Sequence, residues 1–173
     1  MTRLFRDIER VVKELSSPRT LHELHNISGA AIHREVMVGF ERQIDPEGHP
    51  WIPSAAATRE GRRTLRDSGN LQDGIEWRAD SRMVLIKTTG VARREGYDVV
   101  HQHGATRINY HKRNGQFMRK GQAMRRKTVV PISEVTLPAR PFMPEQGTLP
   151  PRFERAVTND IRAYLRARFG TVT

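Results

Sequence analysis

The chain has no cysteine, which removes disulfide scaffolds and thiolate metal sites together. Aromatic residues make up only 6%, too sparse for a platform on which single-stranded bases would stack. No apolar run approaches the roughly 20 residues of a membrane span, and the first residues lack the apolar stretch of a secretory signal. The expectation is a soluble protein made in a cytoplasm, without a membrane partner. One further absence is local: between Val99 and Ser133 there is no Asp or Glu.

That stretch instead carries Arg107, Lys112, Arg113, Arg119, Lys120, Arg125, Arg126 and Lys127, with Tyr110 and Phe117 as its aromatics. Unpaired charges cost several kcal/mol each to bury, on the order of a whole core side chain, so this is not a core element. It is either a solvated loop or an arm that meets something negative. The chain as a whole has 30 Lys and Arg against 19 Asp and Glu, a net charge of +11. A one-sign arm on a basic chain raises the local potential and favours a polyanion, contacted at phosphates and without sequence preference.

With 173 residues, 36% of them hydrophobic, the chain supports one domain (1–173) around a modest core. Leu4, Phe5, Ile8, Val11, Val12 and Leu15 recur at helical spacing, so Thr2–Leu15 is predicted as a helix with Thr2 as its cap. A longer helix is predicted from about Thr20 to Ile44, although Gly29 and Gly39 each cost it about 1 kcal/mol relative to Ala. Asp45-Pro46-Glu47-Gly48 ends it with turn residues. Thr58 to Asp67 reads as a short polar helix or an irregular loop, and Leu65 to Leu71 as a turn into a short helical segment ending near Ile75. Glu76–Ala79 and Met83–Thr88 read as strands around an Ala79-Asp80-Ser81 turn. Tyr97–Gly104 reads as a one- to two-turn helix closed by glycine.

The basic arm, at about 105–130, is predicted as a long β-hairpin with Arg113-Asn114-Gly115-Gln116 at its tip, since Asn-Gly favours the type I′ turn. Thr128-Val129-Val130 closes the hairpin or starts a further strand. Val135–Pro144, with three prolines, is extended and at an edge. Pro151–Phe169 is a C-terminal helix, with Pro near its start and arginines near its end. The fold class expected is α+β: a small antiparallel sheet packed with N-terminal helices and a C-terminal helix, and a long basic hairpin arm.

No residue pattern argues for chemistry. His22 and His25 lie three apart, and His101 and His103 flank Gln102, but two separated pairs fall short of the three convergent ligands of a catalytic zinc site. There is no GxSxG elbow, P-loop or Rossmann glycine pattern. A nuclease would have to draw its acids from Asp67, Asp73, Glu76 and Asp80, where nothing sets them apart. We expect no catalytic residue, metal or cofactor. Trp51 reads as a core or interface plug. Pro138-Ala139-Arg140-Pro141-Phe142 reads either as a segment packed on its own domain or as a clip onto a neighbouring subunit.

Four stretches form an ordered series. Asp45-Pro46-Glu47-Gly48-His49-Pro50-Trp51, preceded by Phe40-Glu41, is similar to a PdGxpW signature. Thr64-Leu65-Arg66-Asp67-Ser68-Gly69-Asn70-Leu71 is similar to L-x-x-[ST]-G-x-L. Tyr97-Asp98-Val99-Val100-His101-Gln102-His103-Gly104 resembles YA-x-x-HQ-x-G, with Asp98 where Ala is common. Pro138-Ala139-Arg140-Pro141-Phe142 matches PaRpF. Together, over about residues 30–145, they resemble the bacteriophage virion morphogenesis (tail completion) family of Mu-like and P2-like phages.

The resemblance implies a noncatalytic virion protein of the head–tail junction or upper tail end, assembled in the host cytoplasm. It would complete or terminate the tail and join it to the head connector. It also implies a small α+β fold and a ring of its own copies, commonly six, with tail tube and connector or stopper proteins as partners. The basic insertion between His-Gln-His-Gly and Pro-Ala-Arg-Pro-Phe is longer and more charged than the motifs require. On this reading Trp51, Arg140 and Phe142 are candidate intersubunit contacts. The eight cations of the arm are candidates for a neighbouring ring or for genomic DNA in the channel. The alternative is a sequence-independent nucleic-acid-binding protein that grips the duplex backbone with the arm.

Overall fold

The structure is a computed structural model describing residues 3–113, 116–119, 133–145, 147 and 149–170, with side chains for 8–105, 136–145, 147 and 149–170. Its centre is one long helix. After α1 (Arg3–Leu15), α2 (Pro18–Arg42) runs through the middle of the molecule. Ser17 caps α2 by accepting a hydrogen bond from the Thr20 amide at 3.2 Å, and Pro18 occupies the first turn, where its missing N–H costs nothing. Gln43, in the left-handed region at φ 59°, ends it.

The two glycines that weakened the expectation of a long helix have local reasons. A Cβ on Gly29 would run into the Trp77 ring, so the bare backbone there makes room for the indole against the helix. At Gly39 a Cβ would press on the Ile44 carbonyl at 3.1 Å, where the chain turns back. Tertiary packing thus outweighs propensity at both positions.

One side of α2 is covered by the hairpin of β1 (Ile75–Ala79) and β2 (Val84–Thr88), paired from Ile75↔Thr88 to Ala79↔Val84. Two α2 histidines hold it: His25 Nδ1 donates to the Asp80 carbonyl at 2.7 Å, and His33 Nε2 donates to the Ile75 carbonyl at 3.1 Å. The other side is covered by α7 (Pro151–Phe169), which runs antiparallel to α2. Ion pairs mark that seam at Glu35–Arg152 (3.4 Å), Arg34–Asp160 (2.9 Å) and Glu23–Arg168 (2.7 Å). Arg168 also reaches Glu14 of α1 at 2.8 Å.

Short elements complete the body: α3 (Ala55–Glu60), α4 (Asn70–Asp73), α5 (Gly90–Arg94) and α6 (Tyr97–His103). The core gathers Ile32, Val36 and Phe40 of α2 with Trp51, Leu71, Ile75, Ala92, Phe142 and Phe153. A second antiparallel sheet has the order β4 (Gln116–Arg119), β3 (Ala105–Arg113), β5 (Ser133–Leu137). Its register runs from Tyr110↔Arg119 to Arg113↔Gln116 on one side of β3. On the other, Ala105↔Leu137 is followed by an irregularity before Ile108↔Val135.

The α+β class is as expected. Over 58–67, where a short polar helix or an irregular loop was expected, α3 ends at Glu60 and the rest is irregular. Helix α3 starts before this stretch because Ser54 caps it, accepting from the Ala57 amide at 3.0 Å. The expected cap Thr2, the turn residues Asn114 and Gly115, and Thr128-Val129-Val130 lie outside the described residues. So does everything from 120 to 132, and the long basic arm stays an expectation from sequence.

Candidate functional site

The four ordered stretches meet in space. Side chains of the first and third bind backbone of the fourth, and Arg140 of the fourth binds backbone just after the first. The second enters through Leu71 in the core and through Thr64. The indole of Trp51 packs edge-on against Phe40, with centroids 5.3 Å apart at 77°, and Phe142 lies 5.8 Å from the same ring. Trp51 Nε1 donates to the Pro141 carbonyl at 2.7 Å. Indole and phenyl rings supply the apolar area, while the N–H fixes where the 138–143 segment lies.

Gln102 holds that segment from the opposite side. Its Nε2 donates to the Met143 carbonyl at 2.8 Å, and its Oε1 accepts from the Phe142 and Met143 amides at 3.1 and 3.2 Å. One carboxamide does what a strand partner would do for a proline-rich segment that cannot sustain a ladder of its own. Gln43 does the same at the other motif: Oε1 accepts from the Thr64 amide at 2.5 Å, and Nε2 donates to the Thr64 and Phe40 carbonyls. Leu71 of that stretch is in the core, and Thr64 Oγ1 accepts from the Ser54 amide.

Arg140 is only 4% exposed, yet among the described residues no carboxylate pairs with it. Its Nε donates to the Ile52 carbonyl at 2.6 Å and its Nη2 to the Pro53 carbonyl at 3.3 Å, while its own amide donates to the His101 carbonyl at 2.7 Å. Carbonyl dipoles thus stand in for a counter-ion. Burial lowers the guanidinium pKa, which still leaves it charged at neutral pH. His101 is held below its ordinary value first by burial and second by the nearby Arg140 charge, and its buried Nδ1 has no partner.

Gly104 closes α6 at φ 74°, ψ 176°, a region essentially confined to glycine, and a Cβ there would sit 2.8 Å from the Ala139 nitrogen. Asp98, the departure from the common alanine, is buried and engaged: it accepts from the Val99 amide at 2.8 Å and pairs with Arg93 at 3.2 Å.

Trp51, Arg140 and Phe142, read from sequence either as packed within their own domain or as contacts to a neighbouring subunit, are 6, 4 and 2% exposed within the chain and hold the segment to its own domain. Of the arm cations, Arg107, Lys112 and Arg113 lie on β3 and Arg119 on β4, with Lys112 opposite Phe117. Lys120, Arg125, Arg126 and Lys127 lie outside the described residues. Sequence reasoning missed the roles of Gln43 and Gln102, whose partners are distant backbone groups. The HQ element itself was the one available signal for Gln102.

Two concavities flank this knot. One, of about 400 Å³, lies under α3 and α6 and is lined by Ala57, Leu65, Arg66, Tyr97 and His101 among others. The other, of about 640 Å³, lies where the 46–47 turn faces residues 141–145 and 149–151. Among the described residues no three His, Asp or Glu side chains cluster as metal ligands, and no helix is long and apolar enough to cross a membrane.

The site is therefore one in which motif side chains are engaged in holding backbone, the mark of a protein whose signature residues maintain a shape. A sequence model of the phage virion morphogenesis family matches residues 3–167, nearly the whole chain, and the chain belongs to that family. It is a virion-associated phage protein with a structural or assembly role. No curated protein and no solved structure matches it.

Proposed function

We propose that this protein is a noncatalytic component of the head–tail junction, which completes or terminates the tail and joins it to the head connector as a ring of its own copies. The observation that carries the reading is the family match over residues 3–167. The exposed apolar side chains fit an assembly subunit. Ile8 and Val12 on α1 are 50 and 59% exposed, and Met83 and Leu85 on the β1–β2 hairpin are 58 and 49% exposed. Symmetric assemblies cover such surfaces with identical neighbours. The ring would number six by the resemblance, with tail tube and connector or stopper proteins on its two sides.

Electron microscopy of particles made without this protein tests the reading. Finished but unattached tails beside tailless heads support a joining role, and tails of uncontrolled length support termination. Normal particles would refute both.

The second reading is a sequence-independent nucleic-acid binder, favoured by eight cations and no acid over residues 99–133. It requires the isolated protein to bind arbitrary duplex DNA with an affinity that falls steeply as salt rises.

A further inference from the structure

We propose that the groove between the 46–47 turn and residues 141–145 and 149–151 receives the basic arm of a second copy of this chain, an inference that rests on the ring reading. The groove measures about 640 Å³ and is lined by Pro46, Glu47, Pro141, Met143, Glu145 and Leu149 among others. Its walls are already fixed. Trp51 holds the Pro141 carbonyl and Gln102 holds both Met143 backbone groups, so little ordering cost remains for a ligand that enters.

Its chemistry is apolar with an acidic rim. Glu47 and Glu145 are both exposed, and among the described residues neither is in an ion pair. Glu47 acts only at a distance on Arg152, whose guanidinium pairs with Glu35. A chain of net charge +11 thus presents a stiff apolar groove rimmed by two uncompensated carboxylates. The complement is a basic segment with apolar side chains, and residues 99–133 are that: eight cations, no acid, and Tyr110, Phe117 and Met118 among them. Groove and arm are different surfaces of one chain. Their pairing is heterologous, the kind of contact that closes into a ring. Carboxylates on the rim repel nucleic acid, so an arm seated here is turned away from DNA.

The test uses the full chain. Charge reversal of the groove (Glu47→Arg with Glu145→Arg) is compared with reversal of the arm (Arg125→Glu, Arg126→Glu, Lys127→Glu), and with the two combined, by sedimentation at about 0.1 M salt. Each reversal alone should weaken self-association by about tenfold or more, since facing charges are then alike, and the combination should restore it. Circular dichroism melts identify any variant that has lost its fold. In parallel, a benzoylphenylalanine at position 149 is photolysed in a mixture of isotope-labelled and unlabelled chains. Cross-links to residues 105–132 of the other label support the proposal.

Cross-links confined to one label place the arm in its own groove and overturn it. Assembly that survives both reversals overturns the inference while leaving the ring standing. A wild-type protein that stays monomeric overturns the ring reading and this inference together. Arm reversal that abolishes DNA binding but not assembly assigns the arm to DNA and refutes the groove.

Discussion

Trp51 and Pro141 are 90 residues apart in sequence, and the indole N–H of one meets the carbonyl of the other at 2.7 Å, inside a cluster where both Trp51 and Phe142 are buried. The bond makes a loop after α2 and a proline-rich segment before α7 into one unit. Trp51→Phe keeps most of the ring area but leaves the Pro141 carbonyl unmatched. It should cost about 1–3 kcal/mol in urea denaturation, the penalty of an unsatisfied buried group. Trp51→Ala should cost about 3–5 kcal/mol, because it also opens a cavity beside Phe40.

Arg140 addresses two carbonyls with a planar fork. Lysine keeps the charge but brings a single nitrogen, so Arg140→Lys should lower stability by about 1–3 kcal/mol, read as a fall in melting temperature. A melt unchanged by this substitution would mean that charge alone, and not the fork, holds Ile52 and Pro53.

Gly104 and Gly61 both have positive φ, at 74° and 65°, but differ in surroundings. Around Gly61 there is open space, whereas a Cβ at Gly104 meets the Ala139 backbone. Gly61→Ala should therefore cost only the left-handed strain of about 1 kcal/mol, while Gly104→Ala should cost about 3 kcal/mol or more. Equal melting temperatures for the two variants would contradict this.

His101 gives the fold a dependence on pH. Its pKa in the folded protein lies below the ordinary 6.5, so the unfolded chain takes up the proton first on acidification. The neutral ring is the form the fold accepts. Its contribution is complete above about pH 6.5 and is lost progressively as pH falls from there toward the folded value. Glu23 and Glu60, both held below 4.5, lose their stabilising interactions only at more acid pH. Melting temperature should fall between pH 7.5 and 5.5, and His101→Gln should reduce that fall while leaving the drop below pH 4.5 in place.

The long elements were legible in the sequence because their apolar spacing runs over enough residues to show a period and turn residues mark their ends. Helices α1, α2 and α7 and both strands of the first hairpin start and stop within two residues of where the pattern puts them. Gly90–Arg94 is too short to show a period and was missed. Asp98 and Arg140 carry charge and so look like surface, but both are buried. The carboxylate pairs locally with Arg93, five residues earlier, while the guanidinium meets the Ile52 and Pro53 carbonyls, 88 and 87 residues away. The motif series located the knot without revealing its wiring. A glutamine that binds backbone 40 residues away leaves no pattern along the chain.

The sheet of β3, β4 and β5 joins the body through two adjacent strands. One leaves at Gly104 and the other returns at Leu137, with Ala105 opposite Leu137 and the Arg140 amide on the His101 carbonyl just inside. A pull on that sheet along its strands would reach the body through these two paired backbones, which share it. The long seam of α2 and α7 lies beyond this junction and would be spared the strain.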